Sequence, residues 1–145
     1  MLKRHRSLII IIVLAILSPL ASAQTGYQAK FKGDPAHSDA EAAALGYMRT
    51  VVIAQRLYKK KHPEYATSLA SLVGSGSFTR RMVNNERGDY TAQFRSTGKN
   101  FSLAMVPRQY DAAHRAFFVD DTGTIRAEDD KPATAPSPPL KATRD

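Results

Sequence analysis

The sequence contains no cysteine and no tryptophan among its 145 residues. The absence of cysteine excludes disulfides, thiol nucleophiles, iron–sulfur clusters and thiolate zinc sites. The chain also lacks a Gly-rich phosphate loop and the H-E-x-x-H and G-x-S-x-G motifs, which are common sequence signs of nucleotide-binding proteins, metalloproteases and hydrolases. We therefore predict a domain that is stabilised by packing alone and is not an enzyme, with no catalytic residue, no cofactor and no metal site.

Residues 1–23 have the layout of a cleavable secretory signal peptide. A positive start at residues 3–6 precedes an apolar run from Leu8 to Leu17, and Ala21-Ser22-Ala23 supplies the small residues that a signal peptidase recognises. The alternative is a retained anchor, but this stretch is shorter than the roughly 20 apolar residues that cross a bilayer. We expect a mature chain that starts at Gln24, is exported to the periplasm or the extracellular space, and has no membrane span after processing.

One long amphipathic helix is predicted after a leader loop at residues 24–37. Ser38 and Glu41 match the capping box S-x-x-E, in which each side chain bonds the backbone N–H of the other. Apolar residues then recur every three or four positions as far as Tyr58, which is helical spacing. Lysines 59–61 suit the carbonyl end of a helix, and Pro63 stops it.

After the helix, apolar residues recur at every second position and no longer at every third or fourth. A short helical turn is predicted at 68–72, and residues 78–85 fit either a short helix or an extended segment. Alternating side chains predict strands at 90–95, 101–107 and 115–120, and a short return strand through Ile125. The fold class is therefore α+β, with one long N-terminal helix packed on a small antiparallel sheet of three to four strands.

The predicted globular domain covers residues 38–130. Its core should include Phe94, Leu103 and Phe117, buried between the helix and the sheet. Residues 131–145 contain four prolines together with Ala, Ser and Thr, a composition that predicts a disordered tail.

The order of these features resembles the globular head domains of type IV pilins and type II secretion pseudopilins. The resemblance extends from Ala43 to Arg126. In the helix it rests on Leu45-Gly46-Tyr47-Met48-Arg49-Thr50 and Ala54-Gln55, and after the helix on His62-Pro63-Glu64-Tyr65 and Ser68-Leu69-Ala70-Ser71-Leu72. It closes with Tyr90, a strand ending in Pro107 and the run Phe117–Arg126, in which an aromatic strand turns through Asp-x-x-Gly. The resemblance implies a pilin-head-like fold and contact with secretion or pilus components.

The sequence departs from such pilins in its processing region. Pilins carry a Gly-Phe processing site and a Glu within a long apolar helix that continues into the head. Here no such segment exists, because the apolar run ends at Leu17 and the predicted helix begins only after Ser38. The resemblance therefore implies the fold more directly than assembly into a filament, and we expect the mature chain to be monomeric or weakly dimeric.

The segment Asp121-Thr122-Gly123 matches the D-T-G loop that holds a catalytic carboxylate in aspartic proteases. Those enzymes need two carboxylates that share a proton and come from two lobes or a dimer. Only a Pro-rich segment follows here, so we interpret the motif as a hairpin turn in which glycine adopts a positive φ.

Histidines and acidic residues could bind a metal ion in two places. His37, His62 and His114 could combine with Asp120-Asp121, but they lie in three predicted loops without ligand spacing. The run Glu128-Asp129-Asp130 could attract calcium, but it lacks the spaced ligands of a calcium loop. We interpret both groups as solvated loop residues.

The formal net charge of +8 suggests a second function, a basic surface module that binds polyanions such as nucleic acid or acidic polysaccharide. The cations concerned are Lys59, Lys60, Lys61, Arg80, Arg81, Arg87 and Arg95. The lysines are already explained as partners of the helix dipole, and neighbouring acids dilute the positive charge.

A docking face for a partner helix at Tyr47, Val51 and Tyr58 is a further alternative. We expect these side chains to be buried, because the apolar face of the sheet needs a cover. The sequence thus predicts a non-catalytic exported domain that acts by protein–protein contact in the cell envelope or outside it. The expected partner is an envelope or extracellular protein, and binding of nucleic acid is not expected.

Overall fold

In the computed structural model, which describes residues 26–142, helix α1 spans Asp39–Lys61. The Ser38 side chain accepts a hydrogen bond from the Glu41 N–H (3.0 Å), and the His62 N–H donates to the Tyr58 carbonyl at the other end (3.1 Å). The predicted start and end of the helix are confirmed. None of the helices in the described part of the chain combines the length and hydropathy of a bilayer-spanning segment. The predicted signal peptide lies outside the described residues.

The predicted capping box is only half formed. Ser38 caps the helix as expected, but the Glu41 carboxylate does not return to the Ser38 N–H. It accepts from the His37 N–H (2.8 Å) and from Arg115, which lies far along the chain. The prediction is wrong because an arginine offers Glu41 a charged partner that a local backbone N–H cannot match.

Five antiparallel strands follow, each paired with the next along the chain. They are β1 (Glu86–Arg87), β2 (Tyr90–Ser96), β3 (Phe101–Pro107), β4 (Ala116–Asp120) and β5 (Arg126–Glu128). Short 3₁₀ helices at Ala70–Leu72 and Arg80–Met82 lie between α1 and the sheet in sequence. The α+β architecture is confirmed, but the sheet has one strand more than the three to four predicted, because β1 is too short to show a period.

The core lies between α1 and one face of the sheet. Leu103 and Phe117 are fully buried, as predicted, and their neighbours include Met105 and Val51. Phe94 is only half-buried. It lies on β2 beyond the two residues that β1 covers, at an open edge of the sheet, so its predicted full burial is wrong.

Two polar side chains of α1 that the sequence assigns to its polar positions are fully buried. One of them is Gln55, whose amide donates to the Ala66 carbonyl and accepts from the Ala66 N–H, both at 2.9 Å. This pair satisfies the buried amide and attaches the loop after α1 to the helix. The other is Glu41.

The ion pair between Glu41 and Arg115 joins the start of α1 to the residue before β4. The Glu41 side chain is 0% exposed and that of Arg115 is 11% exposed. Arg115 donates through Nε to Oε1 (3.0 Å) and through Nη2 to Oε2 (2.7 Å), and its backbone N–H donates to Oε1 (2.9 Å). Nη2 also donates to the Pro35 carbonyl (2.7 Å). The pair is therefore bidentate and well hydrogen-bonded, as a buried charge requires.

Residues 131–142 lie along the edge of the sheet beside β5. The Leu140 N–H donates to the Ile125 carbonyl (2.8 Å), and the Ala127 N–H donates to the Pro138 carbonyl (3.0 Å). The buried residues of this segment are Ala133 and Ser137. The predicted disorder is wrong for residues 131–142, because a proline carbonyl can still accept a bond from an edge strand although proline has no N–H to donate.

We expect Arg115→Met to lower the free energy of unfolding by about 3–5 kcal/mol, because it leaves the Glu41 carboxylate buried without its charge. The double variant Glu41→Met/Arg115→Met should recover much of this loss, since no buried charge remains. Urea denaturation measures both, with Arg95→Met on the opposite face of the sheet as the control. Equal losses in Arg115→Met and in the control would contradict the assignment.

Acid should weaken the same pair. Burial alone would raise the pKa of Glu41, but hydrogen bonds from the Arg115 side chain and from the Arg115 and His37 N–H groups outweigh it and lower the pKa. The pair therefore stabilises the fold above the unfolded pKa of about 4.3, and the stabilisation is lost as the pH falls through the lower folded value. The pH dependence of urea unfolding below pH 5 should be shallower in the double variant than in the natural chain.

Candidate functional site

The Asp121-Thr122-Gly123 segment forms the turn between β4 and β5, as predicted. Asp120 organises this turn, since its Oδ1 accepts from the Thr122 N–H (3.1 Å) and the Thr122 hydroxyl (2.5 Å). The Gly123 N–H donates to the Asp120 carbonyl (2.9 Å), and Gly123 has a φ of 79°. Asp120 thus acts on its own turn, and Asp121 is exposed.

The three histidines have different partners. His37 Nδ1 lies 3.3 Å from the Ala112 carbonyl, and the His62 ring stacks on Tyr58 with centroids 3.8 Å apart. His114 lies between the carboxylates of Asp111 and Asp89. Within residues 26–142, no group of three or more His, Asp or Glu side chains is arranged to hold a metal ion.

His114 bridges the loop before β4 to the turn before β2. Its Nδ1 lies 2.8 Å from Asp111 Oδ1, and its Nε2 lies 3.3 Å from Asp89 Oδ2. The hydrogen bond with Asp111 raises the pKa of His114 against the opposing effect of burial, and Asp89 adds to the increase. This arrangement ties two loops together and favours the protonated form of His114, since it raises the pKa of that ring.

The seven cations that suggested a polyanion site are spread over four elements: α1, the second 3₁₀ helix, β1 and β2. The Arg87 guanidinium lies 4.6 Å from the centroid of the Tyr47 ring and donates to the Arg81 carbonyl (3.2 Å). Lys59 lies over Tyr65 at the C-terminal end of α1, 4.1 Å from the ring centroid. Arg95 follows Phe94 in β2, so its side chain lies on the sheet face turned away from the helix.

The proposed docking face at Tyr47, Val51 and Tyr58 belongs mainly to the core. Tyr47 and Val51 are buried, as predicted, while Tyr58 is half-buried beneath His62. The Tyr47 hydroxyl donates to the Met82 carbonyl (2.9 Å) and so satisfies its one buried polar atom. The inner side of α1 is therefore occupied by its own domain.

The outer side of α1 carries four residues that we call the α1 ridge: Arg49, Ile53, Arg56 and Lys60. Their spacing of three and four residues places them along one side of the helix. Ile53 is 52% exposed and lies between Arg49 and Arg56 along the ridge. An exposed aliphatic side chain between cations is an unusual surface for a helix whose other large apolar residues face inward.

A groove of about 240 Å³ separates the α1 ridge from the turn between β4 and β5. Its lining residues are Arg49, Val52, Ile53, Arg56, Gly123 and Ile125. The Arg56 guanidinium lies so close to Gly123 that a Cβ at that position would collide with it. Glycine suits this position because it adopts the positive φ of the turn, which other residues rarely do.

Two more large apolar side chains are exposed, and one of them borders the ridge. Phe31 is 52% exposed, and the Arg49 guanidinium lies 5.8 Å from the centroid of its ring. Val73 is 42% exposed and lies three residues before Gly76. A Cβ atom added at Gly76 would lie 3.8 Å from Ile53 Cγ2. Phe31, Ile53 and Val73 are the exposed large apolar residues of the described part of the chain, and the first two lie at the outer side of α1.

Sequence reasoning did not single out this surface. Ile53 is an aliphatic residue that falls outside the regular apolar spacing of α1, and this departure is the signal that could have identified it. Phe31 and Val73 give no such signal, because isolated apolar residues in loops are common on protein surfaces.

Comparison with known proteins gives no match for this chain among family models, curated proteins or solved structures.

The His114 bridge leads to a prediction about pH. Because its folded pKa is raised, His114 should stabilise the fold fully below its unfolded pKa of about 6.5, and this contribution should be lost as the pH rises through the folded value. Asp111→Asn should lower the titration midpoint of His114 in NMR spectra, whereas Asp121→Asn, in the turn at the other end of β4, should not. An unchanged midpoint in Asp111→Asn would show that this hydrogen bond does not hold the proton.

Proposed function

We propose that this chain is an exported, non-catalytic domain that acts by protein contact in the cell envelope or outside the cell. The observation that carries the proposal is the placement of the exposed apolar side chains. Ile53 is exposed on the outer side of α1 and lines the groove with Val52 and Ile125, and the exposed Phe31 ring lies against Arg49. Clustered apolar exposure is typical of interaction surfaces.

The engagement of the polar groups supports a non-catalytic role. The Glu41 carboxylate is fully buried and is bound by Arg115 and by the His37 N–H. Asp120 binds Thr122 in its own turn, and His114 is held by two carboxylates. Each of these groups has a structural partner, and none of these contacts pairs a nucleophile with a base in the way that covalent catalysis requires.

The order of one long helix and a consecutive antiparallel sheet supports a pilin-head-like architecture, and we include secretion or pilus components among the proposed partners. The start of α1 argues against a filament spine. Asp34 is 3% exposed and accepts from the Tyr27 hydroxyl (2.5 Å) and the Lys30 N–H (2.8 Å), so residues 27–36 fold back before the helix begins. A pilin spine would need the helix to continue through this segment.

We expect the exported protein to begin at Gln24, since signal peptidase should cleave after Ala23. The full-length chain, produced in a bacterial host, should be recovered from the periplasm or medium without detergent. N-terminal mass spectrometry and light scattering test processing and size. A Met1 start in the membrane fraction, or fibres of the processed protein in electron micrographs, would contradict the proposal.

Protein contact can be tested in the producing cell by site-specific photo-crosslinking. A photoreactive amino acid at position 31 or 53 should give discrete adducts of the exported protein, because these side chains adjoin the proposed contact surface. Gln109, which is exposed, is the control position. Adducts from position 109 alone would place the contact elsewhere, and no adduct from any of the three positions would contradict a role in protein contact.

A further inference from the structure

We propose that the α1 ridge and its groove bind an acidic protein segment with an apolar centre, such as an amphipathic helix whose apolar stripe is flanked by Glu or Asp. This inference rests on the proposed function of protein contact and adds the chemistry of the partner. Ile53 and Ile125 supply apolar surface at the groove, and Arg49 and Arg56 supply charge beside it.

The charge of α1 selects an acidic partner. The acidic residues of the helix, Asp39 and Glu41, lie in its first turn, and the rest of the helix carries Arg49, Arg56 and lysines 59–61. Within residues 26–142, neither Arg56 nor any of these lysines forms an ion pair with a carboxylate. An acidic partner would therefore find cations that are not already neutralised, which favours both encounter and specificity.

The same charge disfavours a second copy of this chain as the occupant. Two copies of α1 packed through Ile53 would bring Arg49, Arg56 and Lys60 of one copy against the same cations of the other. Like charges facing each other across an interface oppose association. The partner must therefore carry a charge opposite to that of this surface.

Protein is favoured over lipid or nucleic acid by what the ridge exposes. A helix that lies in a membrane surface turns its broad apolar face to the lipid, but here that face, with Leu45, Met48 and Val51, is buried against the sheet. Binding of single-stranded nucleic acid uses aromatic stacking platforms, and the exposed aromatic side chain at this surface, Phe31, already lies under Arg49. Apolar side chains beside arginines are instead typical of protein interfaces.

The spacing of the arginines defines the partner further. Arg49 and Arg56 are two helical turns apart, which is about 10 Å along the axis. Carboxylates one or two turns apart on a partner helix would reach both guanidinium groups while an apolar side chain between them contacts Ile53. A matched pair of designed helical peptides can reproduce this pattern, with an identical leucine stripe flanked by glutamates in one and by lysines in the other.

The test is an NMR titration of the exported protein with each peptide. The glutamate peptide should shift the amide signals of residues 49–60 and 123–125 and bind about tenfold more tightly than the lysine peptide, as several exposed ion pairs together allow. Absence of binding by the glutamate peptide at millimolar concentration, or equal binding of both peptides, would overturn the inference. So would preferential binding to phosphatidylglycerol vesicles or to heparin.

Charge reversal provides the matched variants. Arg56→Glu/Lys60→Glu should lose binding of the glutamate peptide and gain binding of the lysine peptide, whereas Arg95→Glu/Lys99→Glu, at exposed positions away from the ridge, should keep the natural preference. Circular dichroism confirms that both variants fold. If the preference does not invert while crosslinks from position 53 persist in the cell, the partner's chemistry is wrong but the proposed protein contact stands.

Discussion

The buried ion pair between Glu41 and Arg115 is the interaction on which the arrangement of this domain depends. It joins the first turn of α1 to the residue before β4, 74 positions away in the sequence. Two further hydrogen bonds stabilise the same region. The Ser38 hydroxyl donates to the Ala113 carbonyl (2.5 Å), and the Tyr90 hydroxyl donates to the Arg115 carbonyl (2.9 Å). Because a buried charge tolerates little displacement from its partner, the pair fixes where the helix lies along the sheet.

The spacing of apolar residues was enough to predict α1 and the main strands, because the burial of one face sets the spacing in a helix and in a strand. Leu103 alternates with half-buried neighbours in β3, Phe117 lies between buried Ala116 and half-buried Phe118 in β4, and the helix has the spacing of a one-sided apolar stripe. The burial of Glu41 and Gln55 could not be predicted in this way. Each is buried because a specific partner, Arg115 or Ala66, comes from outside the helix, and no local pattern records such a partner.

The edges of the sheet show a second limit of sequence reasoning. Composition predicted disorder from Lys131 onward, since a segment of proline, alanine, serine and threonine has little apolar surface to bury. It does offer carbonyls, and the N–H of Ala127 at the β5 edge donates to one of them, Pro138. At the opposite edge, β1 covers only Tyr90 and Thr91 of β2, which leaves Phe94 half-buried. Edge protection depends on three-dimensional neighbours that periodicity does not describe.

The position of the candidate contact surface depends on which side of α1 is buried in the domain. Its inner side is fully occupied by the sheet, and its start is fixed by the Ser38 cap and by residues 27–36, which fold back through Asp34. Contact through the helix would therefore use its outer side. There the cations around Ile53 oppose pairing with a like helix, while the Arg56 guanidinium lies close to Gly123 in the β4–β5 turn. The same residues that fit the helix to its own domain thus leave it a cationic outer surface suited to a partner of opposite charge.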